Sequence, residues 1–278
     1  EGTVQIDWGN GEKVTSEVIP AYDGYNQVNV FGTISGDGKV KIYGDNIVYF
    51  EWSSRVDGAL VLSLDVTKAT TLKDLTANTN KLTAIDLPKN TELEKLTINN
   101  NQLTSIDISK CTKLTTLDIT NNLLTAIDIT KNQALQTLRI GQNKLTGDLD
   151  LSTNPTIKSV YALTNELTSV KIGNNTASKP YFSFNYNKLT SIDASGINDA
   201  KNATLFLIGN QLTEIKLPAT QMKSLNISKN NFTLATLPAP SVATFFTYAP
   251  QNDYVIAESY KVGDVLDLSS QTSTTLNT

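Results

Sequence analysis

A short motif that begins with Asn recurs along the middle of this 278-residue chain, and the repeat constrains the fold more than any other feature. Successive copies start 21, 21, 21, 22, 22, 23 and 20 residues apart. A chance match would not persist at this spacing, so each copy is predicted to be one unit of a solenoid. The copies begin at Asn80, Asn101, Asn122, Asn143, Asn165, Asn187, Asn210 and Asn230 and read NKLTAIDL, NQLTSIDI, NLLTAIDI, NKLTGDLDL, NELTSVKI, NKLTSIDA, NQLTEIKL and NNFTLATL.

The residues ahead of each Asn follow the pattern L-x-x-L-x-L-x-x-N, as in Leu93, Leu96, Ile98 and Asn101. Side chains in a strand alternate between its two faces, so Leu96 and Ile98 should point inward and Thr97 outward. Each unit therefore supplies one short strand, and stacked units form a parallel sheet with strands about 4.8 Å apart. One unit cannot bury its apolar face alone, which makes stacking obligatory.

These motifs are those of the leucine-rich repeat family, and the 21-residue LTxIDL variant resembles the internalin-type surface proteins of bacteria. The resemblance covers roughly residues 47–250 and implies a leucine-rich repeat solenoid whose parallel sheet lines a concave face. It also implies a secreted or cell-surface protein that adheres to or recognises a partner. One class of these relatives often carries Cys where this chain has Ala77, Ile98, Ile119 and Ile140, so a cysteine ladder is not expected.

Three segments are predicted from where the repeat begins and ends. Residues 1–46 lack the repeat, and alternation in residues 3–8 followed by Gly9-Asn10-Gly11 predicts a hairpin in a small antiparallel β module. This module is expected to cover the apolar end of the first coil, since an open stack end invites association. Residues 47–250 are assigned to the solenoid, and residues 251–278 to strand-like pieces and a linker toward a further β module.

The outermost units of the repeat are degenerate, as the ends of a solenoid must be. The predicted first unit is centred on Phe50, with Arg55 at the position of the Asn. The predicted last unit uses Phe245 and Thr247, with Pro250 at the position of the Asn.

The Asn that opens each copy has a predicted structural role. At the turn after each strand, backbone groups face the interior and need hydrogen-bond partners. An Asn amide offers both a donor and an acceptor, so stacked Asn side chains can satisfy successive turns. The eight Asn residues are therefore expected to form a ladder that supports the fold and makes no ligand contact.

Two other sets of aligned residues contain groups that could bind a metal or react, but both are interpreted as structural. The aligned Asp residues could indicate a calcium site, yet a Lys follows three residues after most of them, as in Asp107 and Lys110. Such rows should neutralise one another as solvated pairs, and calcium would need six or more converging oxygens. No metal and no cofactor is therefore expected. Cys111 stands where Asn90 and Asn132 stand in neighbouring units, so it is interpreted as a small, partly buried filler.

The outward residues of the strands form columns that are free to vary, and their character changes along the chain. The first half is small and polar, whereas the second half is rich in aromatic residues. Exposed aromatic side chains favour a binding surface for a protein or glycan, although part of the stripe could instead lie under a loop or a further module. The predicted partner-binding residues are Arg139, Tyr161, Leu163, Tyr181, Tyr186, Phe206, Ile208, Phe246 and Tyr248.

Composition argues against several classes of function. The chain has no His, which removes the commonest general base and the commonest metal ligand. Its net charge is −4, whereas a dedicated nucleic-acid binder normally carries excess Lys and Arg. Cys111 is the only Cys, so neither an intrachain disulfide nor a Cys-based zinc site can form. No apolar run approaches the roughly 18 residues that would cross a bilayer.

The leading hypothesis is a non-enzymatic interaction or adhesion protein that binds through the concave face. A carbohydrate-binding module and a purely structural spacer remain open alternatives. A glycan hydrolase would need paired carboxylates in a cleft, and Asp74 with Asp118 is the candidate pair on an open surface. The chain opens at Glu1 without Met, so a signal or lipid anchor is expected upstream. The partner and the oligomeric state stay open.

Overall fold

The computed structural model describes residues 3–7, 10–17, 19–20, 26–27, 41–43, 47–52, 61–233 and 235–252. These residues belong to two compact units, one within residues 1–48 and one within residues 49–278, whereas the repeat alone predicts a boundary after residue 46. The strands predicted within 253–278 lie outside the described residues. In the described part of the chain, the helical content is two short 3-10 turns, Ala200–Asn202 and Pro240–Val242. No helix there has the length and apolarity that crossing a membrane requires.

The first unit contains two small antiparallel sheets, one of three strands and one of two. The strands of the unit are β1 (Thr3–Asp7), β2 (Lys13–Glu17), β3 (Ile19–Pro20), β4 (Asn26–Gln27) and β5 (Lys41–Tyr43). β1 pairs antiparallel with both β2 and β5, and β3 pairs with β4. At the β1–β2 turn, Gly11 adopts φ = 82° and its N–H donates to the buried carboxylate of Asp7 at 2.9 Å. The predicted antiparallel hairpin is confirmed.

The second unit is the solenoid, and its main sheet has ten parallel strands whose spatial order follows the chain. The strands are β6 (Tyr49–Glu51), β7 (Asp74–Thr76), β8 (Lys95–Thr97), β9 (Thr116–Asp118), β10 (Thr137–Arg139), β12 (Ser159–Tyr161), β14 (Tyr181–Ser183), β16 (Thr204–Phe206), β17 (Met222–Asn226) and β18 (Ala243–Thr247).

Equivalent apolar residues lie side by side throughout this sheet. Leu96 pairs with Leu75 on one side and with Leu117 on the other, and Leu117 pairs with Leu138. All four side chains are completely buried. Burying one such side chain contributes on the order of 1.5–3 kcal/mol, so burial of the apolar columns stabilises the stacking of adjacent coils. The predicted solenoid with a parallel sheet is confirmed.

A second parallel sheet lies on the returning side of the coils, where the repeat pattern predicts no strand. It consists of β11 (Thr146–Asp150), β13 (Glu166–Lys171) and β15 (Ser191–Asp193). These strands fall in the units that run 22, 22 and 23 residues, whereas the 21-residue units before them form turns on this side. The pairing of β11 with β13 shifts register between Gly147 and Asp148, where Thr168 of β13 is skipped and Gly147 adopts φ = 70°.

Each Asn of the repeat joins two coils through both ends of its amide. Asn122 Oδ1 accepts the backbone N–H of Leu103 at 3.0 Å. Its Nδ2 donates to the carbonyl oxygens of Ile98 at 3.1 Å and Ile119 at 3.0 Å. The same acceptor role recurs at every other copy. These contacts have the geometry of the expected ladder, and its contribution to stability stays a prediction.

The Asn column that includes Asn90 and Asn132 runs along the opposite turn, and the sequence analysis assigned it no hydrogen-bonding role. Asn132 is completely buried, and its Nδ2 donates to the carbonyl oxygens of Ile108 at 3.0 Å and Cys111 at 2.8 Å. Asn90 and Asn154 make equivalent bonds to the preceding coil, whereas Asn175 makes one bond, to the carbonyl oxygen of Ile157 at 2.7 Å. Cys111 interrupts this column. Expected to be partly buried, it is fully enclosed, and burial raises the pKa of its thiol to about 11.

The last strand is offset by one residue from the predicted alignment. Phe246 pairs with Leu225 and Thr247 pairs with Asn226. Phe246 therefore continues the inward column, and its predicted assignment to the outward columns of the concave face is wrong. Tyr248 follows the end of β18 and is 44% exposed, and its predicted role in binding stays a prediction. The spacing of Phe245 and Thr247 imitated the apolar pattern of the repeat and led to the misalignment.

The Asn position of the last unit is filled by Gln251, not by Pro250. Gln251 Oε1 accepts the backbone N–H of Phe232 at 3.3 Å, and its Nε2 donates to the carbonyl oxygen of Ile227 at 3.1 Å. Gln251 follows Asn230 by 21 residues, which is the commonest spacing of the repeat. The ladder therefore ends on a longer amide that performs the same two tasks.

Most members of the Asp column close a turn within their own coil. Asp128 Oδ1 accepts the hydroxyl of Thr130 at 2.7 Å and its backbone N–H at 2.9 Å, and these bonds lower the pKa of Asp128. The charge of Lys131, three residues later, also lowers the pKa of Asp128, in agreement with the expected solvated pairing. Where Lys enters the column, it bridges to the preceding coil, as between Lys171 and Asp150 at 3.8 Å.

Candidate functional site

The outward side chains of the first five strands of the main sheet border a shallow polar depression with a volume of about 480 Å³. Tyr49 and Glu51 were missed by sequence reasoning, although their alternation around Phe50 was a usable signal. The Tyr49 hydroxyl donates to Glu51 at 2.5 Å, and burial together with this bond raises the pKa of Tyr49. The lining residues are Tyr49, Glu51, Thr76, Asn78, Lys95, Thr97, Thr116, Asp118, Thr137 and Arg139.

Most charges in the depression are engaged by their neighbours. Lys95 forms a salt bridge with Asp74 at 3.1 Å across adjacent strands. Asp118 accepts the backbone N–H of Thr120 on Oδ1 at 3.1 Å and the amide of Asn99 on Oδ2 at 3.4 Å. Asp74 and Asp118, the candidate hydrolytic pair, thus have separate partners on an open surface. This arrangement favours recognition over acid–base chemistry.

Arg139 lies at the boundary between the polar and the aromatic halves of the concave face. It is paired in register with Asp118 on one side and with Tyr161 on the other. Its guanidinium carbon lies 4.9 Å from the centroid of the Tyr161 ring, which is a cation–π contact. The salt bridges among the described residues do not include Arg139. Its side chain is exposed, so its N–H donors are presented to solvent.

Three aromatic side chains that follow Arg139 touch one another, and we call Tyr161, Tyr181 and Phe206 the aromatic cluster. The rings of Tyr161 and Tyr181 are tilted by 32° with centroids 5.1 Å apart. Phe206 meets Tyr181 edge to face at 5.6 Å and 88°. All three are half-buried, and burial raises the pKa of Tyr181. The cluster is therefore a pre-packed platform whose outer edges remain accessible.

Three further predicted residues lie at the edge of the sheet, where each strand enters its turn. Tyr186 is 52% exposed and adopts φ = 56°, a left-handed conformation that is unusual for a bulky residue. Its ring occupies the space beside Gly209, where an added Cβ would lie 2.7 Å from the nearest ring atom. Leu163 similarly covers Gly141, and both Leu163 and Ile208 are half-buried.

The structure thus brings part of the predicted site together. Arg139 and the aromatic cluster form one chain of contacts, while Leu163, Tyr186 and Ile208 line the neighbouring edge. Phe246 and Tyr248 are separate, and their rings pack on each other at 5.6 Å in the last unit. The outward aromatic residue of β18 is Phe245, which is 64% exposed and was not predicted as a contact.

Comparison with known proteins agrees with this architecture. Residues 91–131 match the family described as Leucine Rich repeats (2 copies). A comparison with curated proteins gives no match. The solenoid has the leucine-rich repeat fold, and the predicted resemblance to leucine-rich repeat proteins is confirmed.

Several solved structures share the fold at low sequence identity. The functional domain of InlJ from Listeria monocytogenes is 21% identical over 67% of this chain and 60% of its own, with a TM-score of 0.36. YopM from Yersinia pestis is 20% identical over 65% and 55%, with a TM-score of 0.48. A leucine-rich repeat protein from Leptospira interrogans is 18% identical over 69% and 58%, with a TM-score of 0.50. The chain therefore spans somewhat over half the length of these proteins.

Proposed function

We propose that this chain is a non-enzymatic interaction protein that binds a protein partner through the concave face of its solenoid. The observation that carries the proposal is the aromatic cluster, whose three side chains face outward and remain half-exposed. Large aromatic groups on a concave surface are typical of recognition sites. Repeat solenoids commonly use such extended concave surfaces for binding.

Secretion or display at a bacterial surface, with a role in adhesion, is part of the proposal. It is supported by the resemblance of the LTxIDL repeat to internalin-type proteins. Protease treatment of intact source cells tests it, because a displayed protein is digested while an internal one is protected. Protection on intact cells with digestion after lysis would contradict display, and absence of the protein from the culture medium would then contradict secretion.

The binding site is tested with the full chain on arrays of extracellular proteins and of glycans. Tyr161→Ala and Phe206→Ala should each weaken the selected interaction by about 2 kcal/mol or more if they are hot spots. Thr104→Ala, an exposed change on the returning side, is the matched control and should leave affinity unchanged. Equal affinity in all three variants would remove the site assignment, and binding to glycans alone would replace the partner class.

A further inference from the structure

The second half of the concave face supplies apolar surface, but Arg139 is the feature that can give it selectivity. Lys95, the other cation in the depression, is neutralised by Asp74 at 3.1 Å. Asp118 is next to Arg139 in register, yet no salt bridge joins them among the described residues. Asp118 instead accepts hydrogen bonds from Thr120 and Asn99. Within the part of the chain that the structure describes, Arg139 is thus a cation without a salt-bridge partner.

The Arg139 guanidinium lies over the Tyr161 ring, with its carbon 4.9 Å from the ring centroid. The side chain is exposed, so this contact leaves its N–H donors available. A guanidinium matches the two oxygens of a carboxylate, which Arg can bind with two parallel hydrogen bonds. The ring contact also restricts the side chain before binding, so Arg139 is placed to bind an anion.

We propose that Arg139 binds an Asp or Glu side chain of the protein partner, and that an apolar neighbour of this acidic residue packs on the aromatic cluster. The inference rests on the proposed function and specifies the partner's chemistry. A protein segment fits better than a sugar, since Arg139 covers Tyr161 at 4.9 Å and Tyr181 packs against it at 5.1 Å. Those contacts leave ring edges for side chains and little open ring face for a pyranose.

The test uses short random peptides displayed on phage and the full chain as bait. Wild type should enrich peptides in which Asp or Glu adjoins an aromatic or aliphatic residue. Synthetic copies of these peptides should lose on the order of ten- to a hundredfold in affinity on Arg139→Gln, because a charge-assisted bidentate contact is lost. The affinity of Arg139→Lys for these peptides should lie between that of wild type and that of Arg139→Gln, since Lys keeps the charge but lacks the planar guanidinium. Lys188→Gln is the matched control and should bind within about twofold of wild type, because Lys188 is paired with Glu166 of β13 at 2.7 Å, outside the main sheet and its concave face.

Salt provides a second readout that a structural role would not move. Raising the ionic strength from about 0.15 M to about 1 M shortens the screening length from about 8 Å to about 3 Å. Binding of the acidic peptides to wild type should weaken, while residual binding to Arg139→Gln should change little. An equal salt dependence in both proteins contradicts the assignment.

Several results would overturn the inference. They are equal affinity of Arg139→Gln for the acidic peptides, enrichment of basic or uncharged peptides, and no enrichment by wild type. Arg139-dependent binding to uronic or sulfated glycans without peptide binding would overturn the partner class. If Phe206→Ala weakens a partner that Arg139→Gln does not, the proposed function stands and this inference fails.

Discussion

The two Asn columns use the same side chain for different energetic tasks. In the first column, Asn122 supplies the hydrogen bond that the Leu103 N–H makes in the solenoid interior. In the second, Asn132 donates to carbonyl groups that already accept backbone bonds, from Cys111 and from Leu114. An orphaned buried N–H costs more than a carbonyl that loses one of two partners. Equal burial therefore does not imply equal importance.

Asn122→Ala should consequently destabilise the solenoid more than Asn132→Ala. We expect losses in the free energy of unfolding of about 2–3 kcal/mol and about 1–2 kcal/mol, respectively. Chemical denaturation of both variants, with Thr104→Ala as an exposed control, measures the difference. The reverse order, or losses indistinguishable from the control, would contradict this account of the ladders.

Tyr186 is held in a backbone conformation that its side chain disfavours. Equivalent positions carry Asn100 and Asn121, which tolerate φ near 55° better. The same conformation recurs at this turn in other copies, as at Gln142 and Thr164, so the repeat imposes it, and a non-glycine residue held there costs on the order of 1 kcal/mol or more. The neighbouring Gly209 gives the ring its space.

Tyr186→Asn should therefore stabilise the chain by about 0.5–1 kcal/mol, because Asn accepts the left-handed conformation more readily. Thermal melting tests this expectation. Tyr161→Asn is the control, because Tyr161 lies in β12 and Asn is disfavoured in strands. A loss of stability at position 186 that equals the loss at position 161 would argue against stored strain.

At the scale of the strand, β18 depends on Gln251 for its connection to the preceding coil. Gln251→Ala removes the acceptor of the Phe232 N–H and the donor to the Ile227 carbonyl. Amide exchange at Phe232 should accelerate about tenfold, which corresponds to about 1.4 kcal/mol. Exposed Gln211 offers the control variant Gln211→Ala, which should leave that exchange rate unchanged. Unchanged exchange in both would show that Gln251 does not hold the last unit.

The strands of the main sheet were predictable because the spacing of Leu96 and Ile98 permits one inward face. The register of the last strand was not predictable, because Phe245 and Thr247 have the same spacing but lie one residue away from the positions that point inward. The alignment of the repeat also predicts which residues lie next to each other on adjacent strands, but it does not predict which of these neighbours interact. Arg139 lies between Asp118 and Tyr161 in register, and its guanidinium contacts the Tyr161 ring and forms no salt bridge with Asp118. That choice depends on side-chain geometry, which the repeat does not encode.

At the scale of the whole molecule, stability is a sum over stacked coils and their interfaces. The Asp column adds a term that depends on pH. Hydrogen bonds from residues two places later lower the pKa of Asp107 and Asp128 in the folded chain. The unfolded pKa is near 3.9, so this stabilisation is complete above about pH 4 and is lost as pH falls through the lower folded values.

The double variant Asp107→Asn/Asp128→Asn keeps the turn acceptors and removes two titrating groups. Its melting temperature should be lower than that of wild type at pH 7 and should fall less between pH 7 and pH 3. Melting curves at both pH values provide the measurement. Parallel shifts of the two proteins on acidification would exclude these carboxylates as the source of acid sensitivity.

The enclosure of Cys111 has a practical consequence. It is the chain's single thiol, and it lies within the stack with a pKa of about 11, so a thiol reagent reacts only after the surrounding coils part. The rate of labelling consequently reports how often the middle of the solenoid opens. Local opening of the solenoid can therefore be measured on the natural sequence, without an engineered cysteine.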